Sequence, residues 1–234
     1  MTKSMMASLS QYGITDGMVT SLVITILLTI LAVIAGRKMQ TVPGRFQSVM
    51  ELSIGKLYGF FEGIMGKTLC RQYFPIVATL FIYILLCNYV GLLPGSGVLP
   101  GVKAPTSSLN CTAAMAIFVF FMTTIVGIRA HRGPSYFKHL FKPFAFLFPL
   151  MLIEMFVRPL SLSMRLYGNV FGEETVTEQF FHMVPIGLPV IMQLLSVLMG
   201  LVQALVFSLL TAIYFTEAGE LEEGEELADH DSVR

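Results

Sequence analysis

An all-α polytopic membrane protein is the fold class this sequence predicts: about five membrane helices, including a long tilted hairpin, plus one interfacial amphipathic helix. Three observations predict it. Of the 234 residues, 55% are hydrophobic and only 13% are charged, with a mean hydropathy of +0.74; this is too apolar for a soluble domain. The apolar runs are near-continuous and about twenty residues long, which suits spanning helices and not the alternating segments of about ten residues that barrel strands give. Basic residues gather at alternate ends of these runs, on what the positive-inside rule makes the cytoplasmic side. The whole chain, residues 1–234, reads as a single membrane domain. Its net charge is zero, so no global field calls for nucleic acid as a partner. Cys70, Cys87 and Cys111 lie on or beside apolar segments without paired metal spacing, and read as small packing residues.

The first twenty residues lack the basic start and small-residue cleavage site of a secretory signal, so the first apolar segment is expected to be retained. Residues 18–36 form the first span, and Arg37 and Lys38 follow at once; the N-terminus therefore lies outside and the C-terminus in the cytoplasm. In residues 44–67 the apolar positions Phe46, Val49, Met50, Ile54, Leu57, Phe61, Ile64 and Met65 recur at helical spacing, with Arg45, Gln47, Glu51, Lys56 and Glu62 on other faces. That pattern is an amphipathic helix on the membrane surface, ended around Gly66. Residues 73–93 form the second span, with Pro75 in its first turn. A Pro- and Gly-rich outer loop follows, then a third span over residues 109–128. Ser107, Ser108, Asn110 and Thr112 at its outer end either cap the helix or line a water path.

Residues 129–143 carry Arg129, His131, Arg132, Lys138, His139 and Lys142, a second cytoplasmic basic loop. Residues 144–182 are too long for one perpendicular helix, so the segment must tilt strongly, break or lie partly along the membrane; Pro149 and Pro159 permit bends. Pro185, Gly187 and Pro189 mark an outer turn, and residues 190–216 return as the last span. The acid-rich residues 217–234 read as a solvated, disordered cytoplasmic tail.

The functional signal lies in residues 144–182. A charge near the bilayer centre costs at least ~2.5–3.5 kcal/mol on insertion scales, so a buried cation needs either a structural partner or work with ions. On a wheel of about 100° per residue, Glu154, Arg158, Ser161, Asn169 and Gly172 fall within roughly 40° of Arg165, Pro159 permitting. Gly168 and Gly172 leave that side thin enough for another helix to approach. Glu174, Glu178 and Phe181 point nearly the opposite way. Arg158 can pair with Glu154 one turn away. Arg165 has no obvious acidic partner in its own helix, and no other span contains Asp or Glu, so a partner on another chain is the economical solution. On the last span, Ser196, Gly200, Phe207 and Tyr214 lie near the side of Gln203, which either bonds Arg165 when its partner leaves or makes an ordinary interhelical bond.

Arg165-Leu-Tyr-Gly-Asn169, preceded by Arg158-Pro-Leu-Ser-Leu, resembles the signature of subunit a of F-type ATP synthases, with Tyr167 in place of the usual Phe. Pro43-Gly, Pro105-Thr, Asn110 with Thr112, and Gln203-Ala with Tyr214 fall in family order, so the resemblance covers about residues 18–217. It implies a non-catalytic, multi-pass subunit of the bacterial inner membrane with no cofactor. Such a subunit forms two half-channels against the rotating c-ring and couples H+ (or Na+) flow to ATP synthesis. The implied partners are the c-ring, the subunit b peripheral stalk, the remainder of the synthase and membrane lipid. Arg165 would be the stator arginine facing the ring's carboxylates. Glu173, Glu174, Glu178 and His182 would serve the outer half-channel, Asn169 and Gln203 the centre, and Glu154 the cytoplasmic half-channel, with Arg158 more structural. The chain departs from the family pattern at Ser108, where many members carry Asp, and at Ser196, where some bacterial members have His; the doubled Glu173-Glu174 is a candidate compensation. A self-contained channel or secondary transporter would show acids and bases facing each other across its own spans, or internal symmetry, and the sequence shows neither. A membrane scaffold would leave Arg165 dispensable. No phosphate-binding glycine loop is present, which assigns nucleotide chemistry to other subunits.

Overall fold

The computed structural model describes residues 16–37, 44–92, 104–130, 148–183 and 187–232. These residues form five α-helices and a short 3-10 turn: α1 Asp16–Arg37, α2 Arg45–Gly91, the turn Pro105–Ser107, α3 Leu109–Ala130, α4 Phe148–Met183 and α5 Leu188–Ser232. Among the described residues there is no strand. α1, α2, α3 and α5 each contain a stretch long and apolar enough to cross a membrane. α4 carries too much charge to qualify by composition alone.

α2 contains both the amphipathic stretch and the second span. Gly66 divides them, with φ 73 and ψ 164, a left-handed backbone that an L side chain rarely adopts. The second half begins earlier than residue 73, because the chain resumes helix directly after Gly66. Pro75 consequently lies inside the helix and not in its first turn. The surface half is apolar but outward-facing at Val49, Leu52 and Ile54, whereas Phe61 and Met65 near its end are buried. They join Cys70, Tyr73 and Val77 of α2, Val126 of α3, and Ala212, Phe215 and Ala218 of α5 in one apolar cluster. A second cluster joins Leu80 and Ile84 of α2, Met115, Ala116 and Val119 of α3, Leu162, Leu166 and Val170 of α4, and Ala204 and Phe207 of α5. Cys70 and Cys87 are buried and Cys111 is half-buried, all three as free thiols.

Packing is closest where small residues meet. A Cβ built on Gly91 would lie 2.7 Å from the Cβ of Ala104, and one on Gly200 would lie 3.2 Å from the Cβ of Asn88. α1 stands at the edge, with Leu22, Val23, Ile26, Leu27 and Ile30 exposed, the surface expected of a lipid-facing helix. The hydroxyls at the outer end of α3 are used locally. Ser107 and Ser108 donate to the carbonyls of Ala104 and Pro105, and Thr112 donates to that of Leu109. Each bond runs to a carbonyl three residues earlier, so it is a local tie and not the N-cap bond, in which the side-chain oxygen accepts from a backbone N–H.

α4 is one continuous helix of 36 residues, with Pro159 inside it and no break. At 1.5 Å per residue it is ~54 Å long, against a hydrocarbon core of ~30 Å, so it runs obliquely or extends well past the core. α5 departs from expectation at its end. Residues 217–232 are helical, not a disordered tail. The physical reason is cooperative: the span supplies the costly nucleus, and Glu, Leu and Ala are strong formers that extend an existing helix. Gly187, with φ 101, lies immediately before α5. The basic loop residues 131–143 and the outer loop residues 94–103 lie outside the described residues.

Candidate functional site

α4 presents two distinct faces. Leu162, Leu166 and Val170, one turn apart, are buried in the central cluster. The adjoining side is open: Ser161, Arg165, Gly168 and Asn169 are exposed, together with the apolar Leu160, Met164 and Phe171. A Cβ built on Gly168 or Gly172 would meet nothing within 4 Å, so the surface there is thin and no described residue of this chain occupies it. Tyr167 stacks on Phe171 with ring centroids 5.3 Å apart, bracing the turn that carries both glycines' side of the helix.

Arg165 stands on that open side. Among the described residues it has no ion pair and no hydrogen bond, and its neighbours on the exposed surface are mostly apolar. One turn further, Asn169 Nδ2 donates to Gln203 Oε1 at 2.6 Å, joining α4 to α5. Gln203 is only 5% exposed, and its Nε2 has no partner. The glutamine is therefore bound to Asn169 and not to Arg165. Another turn on, half-buried Glu173 lies beside buried Ser196 of α5. The structure thus brings Asn169, Gln203 and Glu173 into one polar seam between α4 and α5. Glu174 is half-buried and Glu178 is exposed. Glu154 and His182 lie on α4, but their side chains are outside the described residues.

Arg158 is half-buried and makes an ion pair that local spacing does not predict; the expected pair with Glu154 falls on a side chain outside the described residues. Its Nη1 lies 2.5 Å from Glu217 Oε2, and its guanidinium lies over the Tyr214 ring at 5.0 Å from the centroid. The reason is the continued helix: α5 does not stop at the span, so Glu217 is held one turn beyond Tyr214 and beside α4. Pro159, next along α4, is half-buried.

Two polar residues escaped the sequence reading. Buried Asn88 of α2 donates through Nδ2 to the carbonyl of Gly200 at 3.1 Å, and its Oδ1 accepts from Thr106 Oγ1 at 2.9 Å. Gln193 of α5 donates to the carbonyl of Leu92. An asparagine alone in an apolar span is itself a signal, because its amide must find partners in the bundle. With Gly200 lying between Ser196 and Gln203, these bonds make one side of α5 a file of polar contacts to α2 and α4.

Comparison with known proteins gives a consistent result. The family profile described as ATP synthase A chain matches residues 18–216. A protein named ATP synthase subunit a from Moorella thermoacetica is 45% identical over 196 residues, covering 84% of this chain and 87% of the relative. ATP synthase subunit a 1 of Syntrophotalea carbinolica is 40% identical over 220 residues, 92% of this chain and 90% of the relative. ATP synthase subunit a of Geobacter sulfurreducens is 41% identical over 212 residues, 89% of this chain and 88% of the relative. With the profile and these relatives spanning nearly all of its helices, the chain belongs to the ATP synthase A chain family.

Proposed function

We propose that this chain is the ion-translocating stator subunit in the membrane sector of an F-type ATP synthase. In this reading it is not catalytic by itself. It carries H+, or Na+ where the ring carboxylate selects it, through two offset half-channels, and it works against a rotating ring of c subunits, held by the peripheral stalk. The observation that carries the reading is Arg165: a guanidinium on an open helix face with no acid of its own chain among the described residues to answer it. Left so in lipid it would be costly. A ring carboxylate arriving at ~4 Å, at an effective dielectric of about 20, supplies ~4 kcal/mol of attraction. That favours the ionised carboxylate at the interface, yet is low enough for release. A membrane potential of 100 mV contributes ~2.3 kcal/mol per charge, comparable in size.

The open surface over Gly168 and Gly172 gives a ring helix room to approach Arg165. The polar seam of Asn169, Gln203, Glu173 and Ser196 lies on the hairpin side of the arginine and supports an outer path, to which Glu174, Glu178 and His182 are added by position. Glu154 lies on the opposite, cytoplasmic side of Arg165 in this orientation, with the N-terminus outside and the C-terminus inside.

The test is Arg165→Ala in the whole complex, with ATP-driven ion uptake measured in inverted membrane vesicles. Coupled uptake should be lost while the complex assembles. A variant that still pumps in step with ATP hydrolysis would refute the stator reading and leave a scaffold.

A further inference from the structure

Asn88 lies in the last turn of α2 and is 6% exposed. Both ends of its amide are used, on two different elements. Oδ1 accepts from Thr106 Oγ1 at 2.9 Å, in the outer turn, and Nδ2 donates to the Gly200 carbonyl at 3.1 Å, on α5. Thr106 and Gly200 are both buried. The Thr106 hydroxyl decides which way the amide points: with Oδ1 taken, the N–H end faces α5. Glycine at 200 permits the approach, since a Cβ there would stand 3.2 Å from the Asn88 Cβ. A second tie, from Gln193 to the Leu92 carbonyl, joins the same two helices two turns nearer the start of α5. Interhelical hydrogen bonds inside membranes each contribute little, because a span left loose in lipid finds other partners. Stability is therefore a weak account of a relay this deeply buried.

Rotation of α5 accounts for it. At about 100° per residue, Ser196 and Gln203 lie roughly 20° apart on α5, and both lie roughly 40–60° from Gly200. A bond to the Gly200 carbonyl therefore fixes the rotation of the side that faces α4. At the ~5–6 Å outer radius of a helix, a rotation of about 20° moves a side-chain atom by ~2 Å. That is enough to carry the 2.6 Å bond between Asn169 and Gln203 beyond hydrogen-bonding range. We propose that Asn88 is a positioning residue for ion transfer: oriented by Thr106, it sets the rotation of α5 through Gly200 and so aims Gln203 at Asn169. Its part in transfer rests on the reading above that the seam between α4 and α5 serves the ion path. Asn88 itself touches no ion and acts through Gln203.

The experiment uses vesicles containing the whole complex and takes two readouts. One is ion uptake per ATP hydrolysed at matched subunit content. The other is the yield of a short thiol cross-linker in Asn169→Cys/Gln203→Cys, with Cys70, Cys87 and Cys111 each replaced by Ala. The control pair is Tyr73→Cys/Phe215→Cys in the same background. Tyr73 and Phe215 join α2 and α5 far from Asn88, with ring centroids 5.7 Å apart. Adding Asn88→Leu should lower uptake per ATP about tenfold and the 169–203 cross-link at least threefold, leaving the 73–215 cross-link unchanged. A merely structural tie lowers both cross-links together or neither. Either result, or unchanged uptake, overturns the inference. If Asn88→Leu does not assemble, Thr106→Val removes one hydroxyl at nearly constant shape and is read by the same criteria, with an expected fall in uptake of about threefold. Arg165→Ala in the same series separates the two levels: continued pumping there refutes the stator reading itself, whereas its loss beside an unaffected Asn88→Leu refutes only the role of Asn88.

Discussion

Asn169 and Gln203 are bonded to each other, yet removing one should not equal removing the other. Gln203 is 5% exposed, and its Nε2 is already without a partner. Asn169 is exposed on the open side of α4. In Asn169→Leu, Gln203 loses the 2.6 Å bond at Oε1 and becomes a buried amide with neither end satisfied. The lost bond is worth about 1 kcal/mol net, and leaving the buried acceptor unpaired adds at least about 1 more, for a total near 2 kcal/mol. In Gln203→Leu the same bond is lost, but an unsatisfied buried nitrogen disappears with it, and exposed Asn169 can find another partner. The net cost should stay below about 1 kcal/mol. In Asn169→Leu/Gln203→Leu no buried amide remains, so the double variant should resemble Gln203→Leu, with a coupling energy above about 1 kcal/mol. Reversible unfolding in mixed micelles with a rising fraction of denaturing detergent measures all three. If Gln203→Leu costs as much as Asn169→Leu, or if the two effects add, the buried amide is not the energetic centre of this seam and the reasoning fails.

Three further outcomes are expected. Gly91→Ala brings a methyl group to 2.7 Å from the Ala104 Cβ; overpacking there should destabilise the bundle by about 1–3 kcal/mol in the same micelle assay, with Ala104→Gly restoring most of it. A Cβ built on Gly168 meets nothing within 4 Å among the described residues, so a Gly168→Leu subunit should accumulate normally while ATP-driven pumping in vesicles falls at least tenfold; intact pumping would mean that no helix docks on that face. Glu173→Gln keeps a polar side chain beside Ser196 but removes the ionisable group. Ion uptake should fall several-fold, while Ser196→Ala, which leaves the carboxylate in place, should fall less.

The spans and the arginine were legible in the sequence because both are strong, local signals. A continuous apolar run of about twenty residues has few alternatives, and a charge inside one demands a reason. The side of the last span was legible too: Ser196, Gly200, Gln203 and Phe207 were placed together by periodicity and are together in the packed face. What failed was long-range. The carboxylate that pairs with Arg158, Glu217, lies far along the chain and becomes available only because α5 continues as helix. Charge density in residues 217–232 argues for disorder, yet helix propagation from an existing span outweighs repulsion between the acids. Asn88 was passed over for the same reason as Glu217. Its partners, Thr106 and the Gly200 carbonyl, lie on separate elements that no local spacing connects.

Gly66 has a mechanical consequence. Its backbone turns at φ 73 and ψ 164 in open space, so the bend is set by the chain itself and not by a neighbour pressing on it. Before the bend lies a helical arm ~30 Å long at 1.5 Å per residue, whose far end shows Val49, Leu52 and Ile54 and whose near end is pinned by Phe61 and Met65 against Phe215 and Ala218. A stationary body pressed by a turning one is dragged sideways on every step. If the arm lies along the membrane surface, as its amphipathic pattern predicts, its length and fastened root would spread the sideways load across the headgroup layer like an outrigger.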